Sequence, residues 1–278
     1  MPHAINEALL NQVIELCRQA GDAILEVYEN SEGIEVNTKA DDSPVTQADL
    51  NAHYILEPAL AKLLDDVPVL SEEGEIPDFK VRKNWQQYWI IDPLDGTKEF
   101  IKRSGEFTVN VALISDGKPI LGVVYVPVTG VTYAGGSSLG AFKIDDGNTH
   151  PIKVRSIASC RQQSIPVSIV ASRNHGAEAV TSLLDNVSKR LGPATTTNMG
   201  SSLKLCLIAE GVADLYPRLA PTCEWDTAAA QAVVEAAGGI VLDDQMNILR
   251  YNQKDSLLNP YFYVIGDKDF DWPGLLKN

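Results

Sequence analysis

The chain has 278 residues, 45% of them hydrophobic, and a formal net charge of −14. That length accommodates one large domain or two closely packed subdomains, and the acidic balance argues against a nucleic-acid or anionic-membrane binder, because polyanions demand a positive surface. A small anionic substrate stays open, since bound cations and a few Lys or Arg supply positive charge locally.

In chain order, Leu9, Leu10, Val13, Ile14, Cys17, Ile24, Leu25 and Tyr28 recur at helical spacing and predict a long amphipathic helix ending near Asn30. Residues 32–42 are polar and read as a mobile loop. Thr46 and Asp49 match the T-x-x-[DE] capping box of a second helix, which Pro58 is expected to kink or end. Val67–Leu70 and Tyr88–Ile91 read as short strands, the first leading into Ser71-Glu72-Glu73-Gly74 and the second into Asp92. Phe107–Ile114 and Ile120–Val126 read as a hairpin around Asp116-Gly117-Lys118-Pro119, and Tyr133–Gly136 as a further strand. The chain turns polar over Arg155–Ser164, which sets the expected division into an α+β part, residues 1–158, and an α/β part, residues 159–278. The second part alternates strand and helix: Val167–Ala171, Ala177–Leu191, Ser202–Ala209, Thr227–Ala237 and Ile240–Leu242. That order fits a sheet covered by helices.

The residues at the start of the chain lack the basic-then-apolar layout of a secretion signal, and no apolar run approaches the ~20 residues that span a bilayer. Cys17, Cys160, Cys206 and Cys223 form no C-x-x-C pair, so a zinc site is not expected. Free thiols in a reducing cytoplasm are the simplest reading. Loose peripheral association with the inner membrane face is left open, and no obligate protein partner is evident.

The run Trp89-Ile90-Ile91-Asp92-Pro93-Leu94-Asp95-Gly96-Thr97-Lys98-Glu99-Phe100 is the most informative. Two carboxylates facing one point repel each other unless a cation sits between them. Hard cations such as Mg²⁺ take oxygen ligands of this kind, and a pair of such ions is a common device for phosphoryl transfer. Three further acids lie beside turn or cap signals: Asp49, Glu72, and Asp226 in Trp225-Asp226-Thr227-Ala228-Ala229. Each taken singly is equally a cap or a solvated loop acid. Met199-Gly200-Ser201-Ser202-Leu203-Lys204 opens a helix with groups that attract phosphate. Ser172-Arg173-Asn174-His175 follows a strand, where open α/β sheets bind ligands.

In combination, PVTQAD at 44–49, SEEG at 71–74, WIIDPLDGTKEF at 89–100 and WDTAA at 225–229 resemble the Mg²⁺-dependent, lithium-sensitive phosphatases of the inositol monophosphatase superfamily. The resemblance runs in order over nearly the whole chain and implies a layered αβαβα sandwich of the inositol monophosphatase and fructose-1,6-bisphosphatase type. GTKEF, SRNH, GSSLK and LYPR are similar to the bacterial 3′(2′),5′-bisphosphate nucleotidases within it. Lys98-Glu99 stands where inositol phosphatases carry Thr-Asn. The resemblance implies removal of the 3′-phosphate of adenosine 3′,5′-bisphosphate, with 3′-phosphoadenosine 5′-phosphosulfate as a further substrate. It implies two or three Mg²⁺ ions. Glu72, Asp92 and the Leu94 carbonyl would hold one, and Asp92, Asp95 and Asp226 a second. Asp49 and Thr97 would position and activate water. Gly96, Thr97 and Lys98 would meet the reacting phosphate. Glu72, Asp95 and Asp226 would also border the substrate. Ser172, His175, Gly200, Ser201 and Lys204, with Tyr216 and Arg218 as weaker candidates, would contact the nucleotide. An inositol monophosphatase, a sugar-bisphosphate phosphatase and a non-catalytic nucleotide-binding protein on the same fold are the alternatives. The last expects loss of a metal acid or of Thr97, and all are present.

Overall fold

A computed structural model describes residues 2–30, 36–38, 44–171 and 177–276. The loop expected over 32–42 therefore lies outside the described residues except at 36–38, which form a strand. The chain opens with α1 (Glu7–Glu29), whose N-cap Asn6 accepts the Leu9 N–H. Strands β1 (Val36–Thr38) and β2 (Pro44–Thr46) pair antiparallel and lead into α2 (Gln47–Leu63).

Next come β3 (Val69–Ser71), α3 (Phe79–Arg82), β4 (Gln87–Asp95), α4 (Thr97–Ile101) and five antiparallel strands: β5 (Thr108–Ser115), β6 (Lys118–Tyr125), β7 (Thr132–Gly136), β8 (Gly140–Asp145) and β9 (Asn148–Pro151). With β3 and β4 parallel, these form one seven-stranded sheet in sequence order. The remainder is α5 (Ile157–Gln162), β10 (Val167–Ala171), α6 (Ala177–Leu191), β11 (Ala194–Asn198), α7 (Leu203–Ala209), β12 (Leu215–Arg218), α8 (Glu224–Ala236), β13 (Ile240–Asp243), β14 (Phe262–Ile265) and α9 (Pro273–Leu276). Its strands make a five-stranded sheet in the order β11-β10-β12-β14-β13.

Among the described residues three hydrophobic cores bind five layers, one core covering both faces of the middle helical layer. Along β4, Trp89 and Ile91 point into one core with α1 and α2, while Tyr88 and Ile90 point into another with α7 and α8. This is the period-2 alternation of a strand buried on both faces. The second core also takes Val170, Tyr216, Val241 and Val264 from the smaller sheet, so α7 and α8 are sandwiched between the sheets. The third core packs Val187 of α6, with Trp272 and Leu275 at the C-terminal end, on the smaller sheet's outer face. The expected αβαβα sandwich is the observed one. Helix α8 approaches β6 so closely that a Cβ at Gly122 would run into the Ala229 carbonyl and the Ala232 methyl.

Of the two effects expected of Pro58, ending the helix is not the one observed: α2 runs on to Leu63 with Pro58 inside it. Proline removes one i→i−4 hydrogen bond. Leu56 and Leu60, both wholly buried on either side of it, keep the helix seated on the sheet. The hairpin turn is also tighter than expected. Only Asp116 (φ +49°) and Gly117 (φ +71°) turn, as a two-residue hairpin with both central residues left-handed requires, so Lys118 and Pro119 belong to β6. The polar stretch expected to separate the two halves contains α5.

Candidate active site

Strand parity delivers the acids. Leu70 and Ile90 face α8, so Glu72 and Asp92, two residues further along adjacent parallel strands, face the same way. Asp95 is three residues beyond Asp92, and in a regular strand it would face the opposite layer. The register between β4 and β5 slips there. Asp92 sits opposite Asn110, and Asp95 opposite Thr108. This one-residue bulge turns Leu94 into the α1/α2 core and swings Asp95 back toward α8. Pro93, which has no N–H to give a ladder, occupies the bulge, one of the places a sheet tolerates it.

Helix α8 supplies the remaining acid. Asp226 is its N3 residue and accepts the Cys223 N–H (2.9 Å). One carboxylate oxygen from each of Glu72, Asp92 and Asp226 falls within 4.8 Å of the others. Asp92 is 1% exposed and accepts a single backbone N–H in the loop, that of Leu94 (3.1 Å). Burial, and then the charges of Glu72, Asp95, Asp226 and Asp49, hold its carboxyl well above the usual range. Burial and the charges of Asp95 and Glu72 push Asp226 the same way, against the Cys223 N–H and then Arg218. Asp95 is pushed up to about 6 by burial, against the pull of Lys204 and the Ser202 N–H. Converging carboxylate oxygens, buried at Asp92 and half-buried at Glu72 and Asp226, are the donor set of a hard divalent cation. The residues thus fit a metal ion, with Glu72, Asp92 and Asp226 as its holders.

Beside the cluster, Thr97 donates its hydroxyl to Asp49 Oδ1 (3.1 Å). Asp49 Oδ2 accepts both the Thr46 N–H (2.8 Å) and the Thr46 hydroxyl (2.6 Å). Burial raises the Asp49 carboxyl, and these three donors lower it. Gly96 makes the turn between β4 and α4 at φ +99°, where a Cβ would also crowd the Glu106 carbonyl.

Asp95, Gly96, Lys98, Gly200, Ser201, Lys204, Arg218 and Asp226 line one open cleft of about 190 Å³, with the rings of Tyr216 and Phe262 as part of its wall. Those rings meet edge-on, 6.1 Å apart. Lys204 Nζ lies 5.8 Å from the Tyr216 ring centre and donates to the Ser201 carbonyl (2.6 Å). Burial lowers Lys204 to about 8. Two backbone N–H groups expected to be available at this helix start have protein partners: Gly200 donates to Glu106 Oε2 (2.7 Å) and Ser202 to Asp95 Oδ2 (2.6 Å). Ser172 and His175 lie outside the described residues.

Two residues went unrecognised in the sequence. Asn110 accepts the hydroxyls of Ser202 (2.9 Å) and Thr108 (3.1 Å), and Glu106 holds the Gly200 turn. Asn110 had a signal: it is a polar residue inside the apolar run of β5, at the parity of Ala112 and Ile114, which face α8.

A layered α/β sandwich with convergent carboxylates at the ends of parallel strands, opening on a cation-lined cleft, defines a metal-dependent hydrolase architecture. The chain belongs to the inositol monophosphatase family, whose model matches residues 5–263. It is 50% identical over 256 residues to the 3′(2′),5′-bisphosphate nucleotidase CysQ of Escherichia coli K12, covering 92% of this chain and 99% of that protein. The Haemophilus influenzae protein of the same name is 38% identical over 274 residues, 98% of each chain. Among solved structures, CysQ from Bacteroides thetaiotaomicron, described as a bacterial member of the inositol monophosphatase family, superposes with a TM-score of 0.79 at 39% identity, covering 94% of this chain and 98% of that one. The extragenic suppressor protein suhB of Bartonella henselae superposes at 0.77 with 25% identity, covering 98% and 99%. No helix among the described residues is long and apolar enough to cross a membrane.

Proposed function

We propose that the protein is a Mg²⁺-dependent 3′(2′),5′-bisphosphate nucleotidase that hydrolyses the 3′-phosphate of adenosine 3′,5′-bisphosphate to AMP and phosphate, with 3′-phosphoadenosine 5′-phosphosulfate as a second substrate. The observation that carries this reading is a single cleft lined by both kinds of group: the acids Asp95 and Asp226, and the cations Lys98, Lys204 and Arg218 beside the rings of Tyr216 and Phe262. A bisphosphate nucleotide has more negative charge to neutralise than an inositol monophosphate, and its base has a flat apolar face that aromatic walls suit. The 50% identical nucleotidase supports the same choice.

Glu72, Asp92 and Asp226 would hold Mg²⁺, with Asp95 and the Leu94 carbonyl completing the set. When bound, Mg²⁺ supplies charge neutralisation at the phosphoryl oxygens and acidifies water. The protein's own groups do the rest. Thr97 has committed its hydroxyl proton to Asp49, so its lone pairs face outward to accept a proton from the attacking water. That proton passes to Thr97 Oγ1 as the hydroxyl proton passes to Asp49 Oδ1, a general-base relay. The fixed Thr46 donors hold Asp49 in place for it. Lys98 lies next to Thr97 and steadies the reacting phosphate, while Lys204 and Arg218 neutralise the distal one. The seven-stranded sheet ends at Pro151 and the five-stranded one begins at Val167, which supports a division within residues 152–166, a stretch that contains the 158/159 boundary and α5.

The test is phosphate release from adenosine 3′,5′-bisphosphate, inositol 1-phosphate and fructose 1,6-bisphosphate, each with Mg²⁺ and with chelator. The expected result is a kcat/KM at least about tenfold higher for the nucleotide, corresponding to roughly 1.4 kcal/mol, and no turnover with chelator. A preference for inositol 1-phosphate overturns the assignment.

A further inference from the structure

The metal acids come from two places. Glu72 and Asp92 flank the β3–β4 crossover, whereas Asp226 arrives on α8, and like charges push these apart. One buried network joins the two places. Arg82, the last residue of α3 within that crossover, is 1% exposed. Its Nη1 donates to Asn252 Oδ1 (2.6 Å) and to the Lys254 carbonyl (3.1 Å), and its Nη2 to the Asp255 carbonyl. Asn252 returns its Nδ2–H to the Arg82 carbonyl (2.5 Å). The Asn252 backbone N–H, held at φ +56°, donates to both oxygens of Glu224 (2.8 and 3.0 Å). Glu224 is 2% exposed, begins α8, and stands two residues before Asp226. Its own N–H donates to the Leu257 carbonyl (2.8 Å).

A guanidinium this deeply buried is costly to desolvate, and the carboxylate that faces it, on exposed Asp255, is 3.7 Å away. Such a group is weak evidence of stability and better suited to fixing one arrangement among several. We infer that Arg82, Asn252 and Glu224 form a strut that holds the first turn of α8 at a set distance from the β3–β4 crossover, making them positioning residues for the Glu72/Asp92/Asp226 cluster. The inference rests on that cluster being the metal site of the proposed function. The strut holds the three carboxylates together before any cation arrives, so metal binding does not itself have to pull α8 into place.

The experiment is calorimetric titration of Mg²⁺ into the substrate-free, full-length protein and its variants, with melting followed in parallel. Arg82→Met keeps the apolar stem and removes the head group. Asn252→Gly keeps the left-handed backbone and the N–H to Glu224 and cuts only the link to Arg82. Arg155→Met breaks a different ion pair, half-buried, with Asp214 (2.6 Å), and controls for general loss of stability. The expected result is Mg²⁺ binding about tenfold weaker in Arg82→Met and Asn252→Gly, the scale set by groups that orient metal ligands, and within twofold of wild type in Arg155→Met. If Arg82→Met does not fold, Asn252→Gly decides. Wild-type affinity in a folded Arg82→Met or Asn252→Gly overturns the strut, as does an equal loss in Arg155→Met. Mg²⁺ binding by a wild-type protein that leaves bisphosphate nucleotides uncleaved overturns the nucleotidase reading alone. A wild type that binds no Mg²⁺ overturns both.

Discussion

Helices α2 and α8 begin alike and end up differently employed. Each carries an aspartate at N3 that accepts the N-cap backbone N–H, Asp49 from Thr46 and Asp226 from Cys223. Asp49 is then completed by protein donors, two hydroxyls besides that N–H. Asp226 instead looks into Glu72, Asp92 and Asp95 and remains short of positive charge. The same capping pattern therefore serves a positioned base in one place and an ion ligand in the other. What separates them is the environment of the second carboxylate oxygen, which local sequence does not encode.

Breaking the comparison at its electrostatic end has the largest effect. Asp226→Asn removes one cation holder, and turnover is expected to fall at least about 10³-fold, equivalent to roughly 4 kcal/mol of lost transition-state stabilisation. In metal-free buffer the same variant is expected to melt higher than wild type, because a repelling charge is gone. Calorimetry with and without chelator reads both signs, and a metal-free melt below wild type contradicts the account. At the other helix, Asp49→Asn is expected to lower kcat about 10²-fold and to cost about 1 kcal/mol through a weakened cap. Its Mg²⁺ affinity stays at the wild-type value, so a weakened Mg²⁺ titration in this variant would merge two roles that are held apart here.

Metal addition sharpens the contrast further. At a hundredfold excess over its dissociation constant, Mg²⁺ is expected to stabilise the wild type by about 2.7 kcal/mol, a rise in Tm of roughly 5–10 °C for a chain of this size. Asp49→Asn keeps that rise and Asp226→Asn loses most of it in the same scan. The smallest effect belongs to Cys223→Ser. A hydroxyl caps a helix better than a thiol, so a gain of up to about 1 kcal/mol is expected, with kcat within twofold of wild type in the phosphate-release assay.

Much of the fold was legible because its elements carry simple periods. The 3.6-residue period of α1 and the apolar run of Val167–Ala171 both matched the observed elements. Strand β14, Phe262–Ile265, escaped because four residues after an irregular stretch carry too little pattern to stand out. Pro58 misled as a helix stop because its rule is local, whereas Leu56 and Leu60 are held by the sheet. The acids Glu72, Asp92 and Asp226 were legible as a set through the family resemblance; spacing alone left Asp226 equally a cap, Glu72 a solvated loop acid and Asp92 a loop-structuring one. Glu106 and Asn110 stayed hidden, since what they hold, the turn at 200–202, is 90 or more residues away in the chain. The Gly200 and Ser202 N–H groups read as open at a helix start, and only the tertiary fold shows Glu106 and Asp95 filling them.

The contact of Gly122 with α8 bears on which positions can drift. Any side chain at 122 displaces the Ala229 backbone, and Asp226 rides on the same helix one turn earlier, so a methyl group on the far side of the core would be felt at the metal acids. The cleft's other wall is no freer at its turn: a Cβ at Gly200 would meet the Glu106 carbonyl at 2.9 Å, and the buried Ser202 hydroxyl is bonded to Thr108 and Asn110. A protein pressed toward a new phosphate ester would leave positions 122 and 200 as they are and change at exposed members of the cleft such as Lys98.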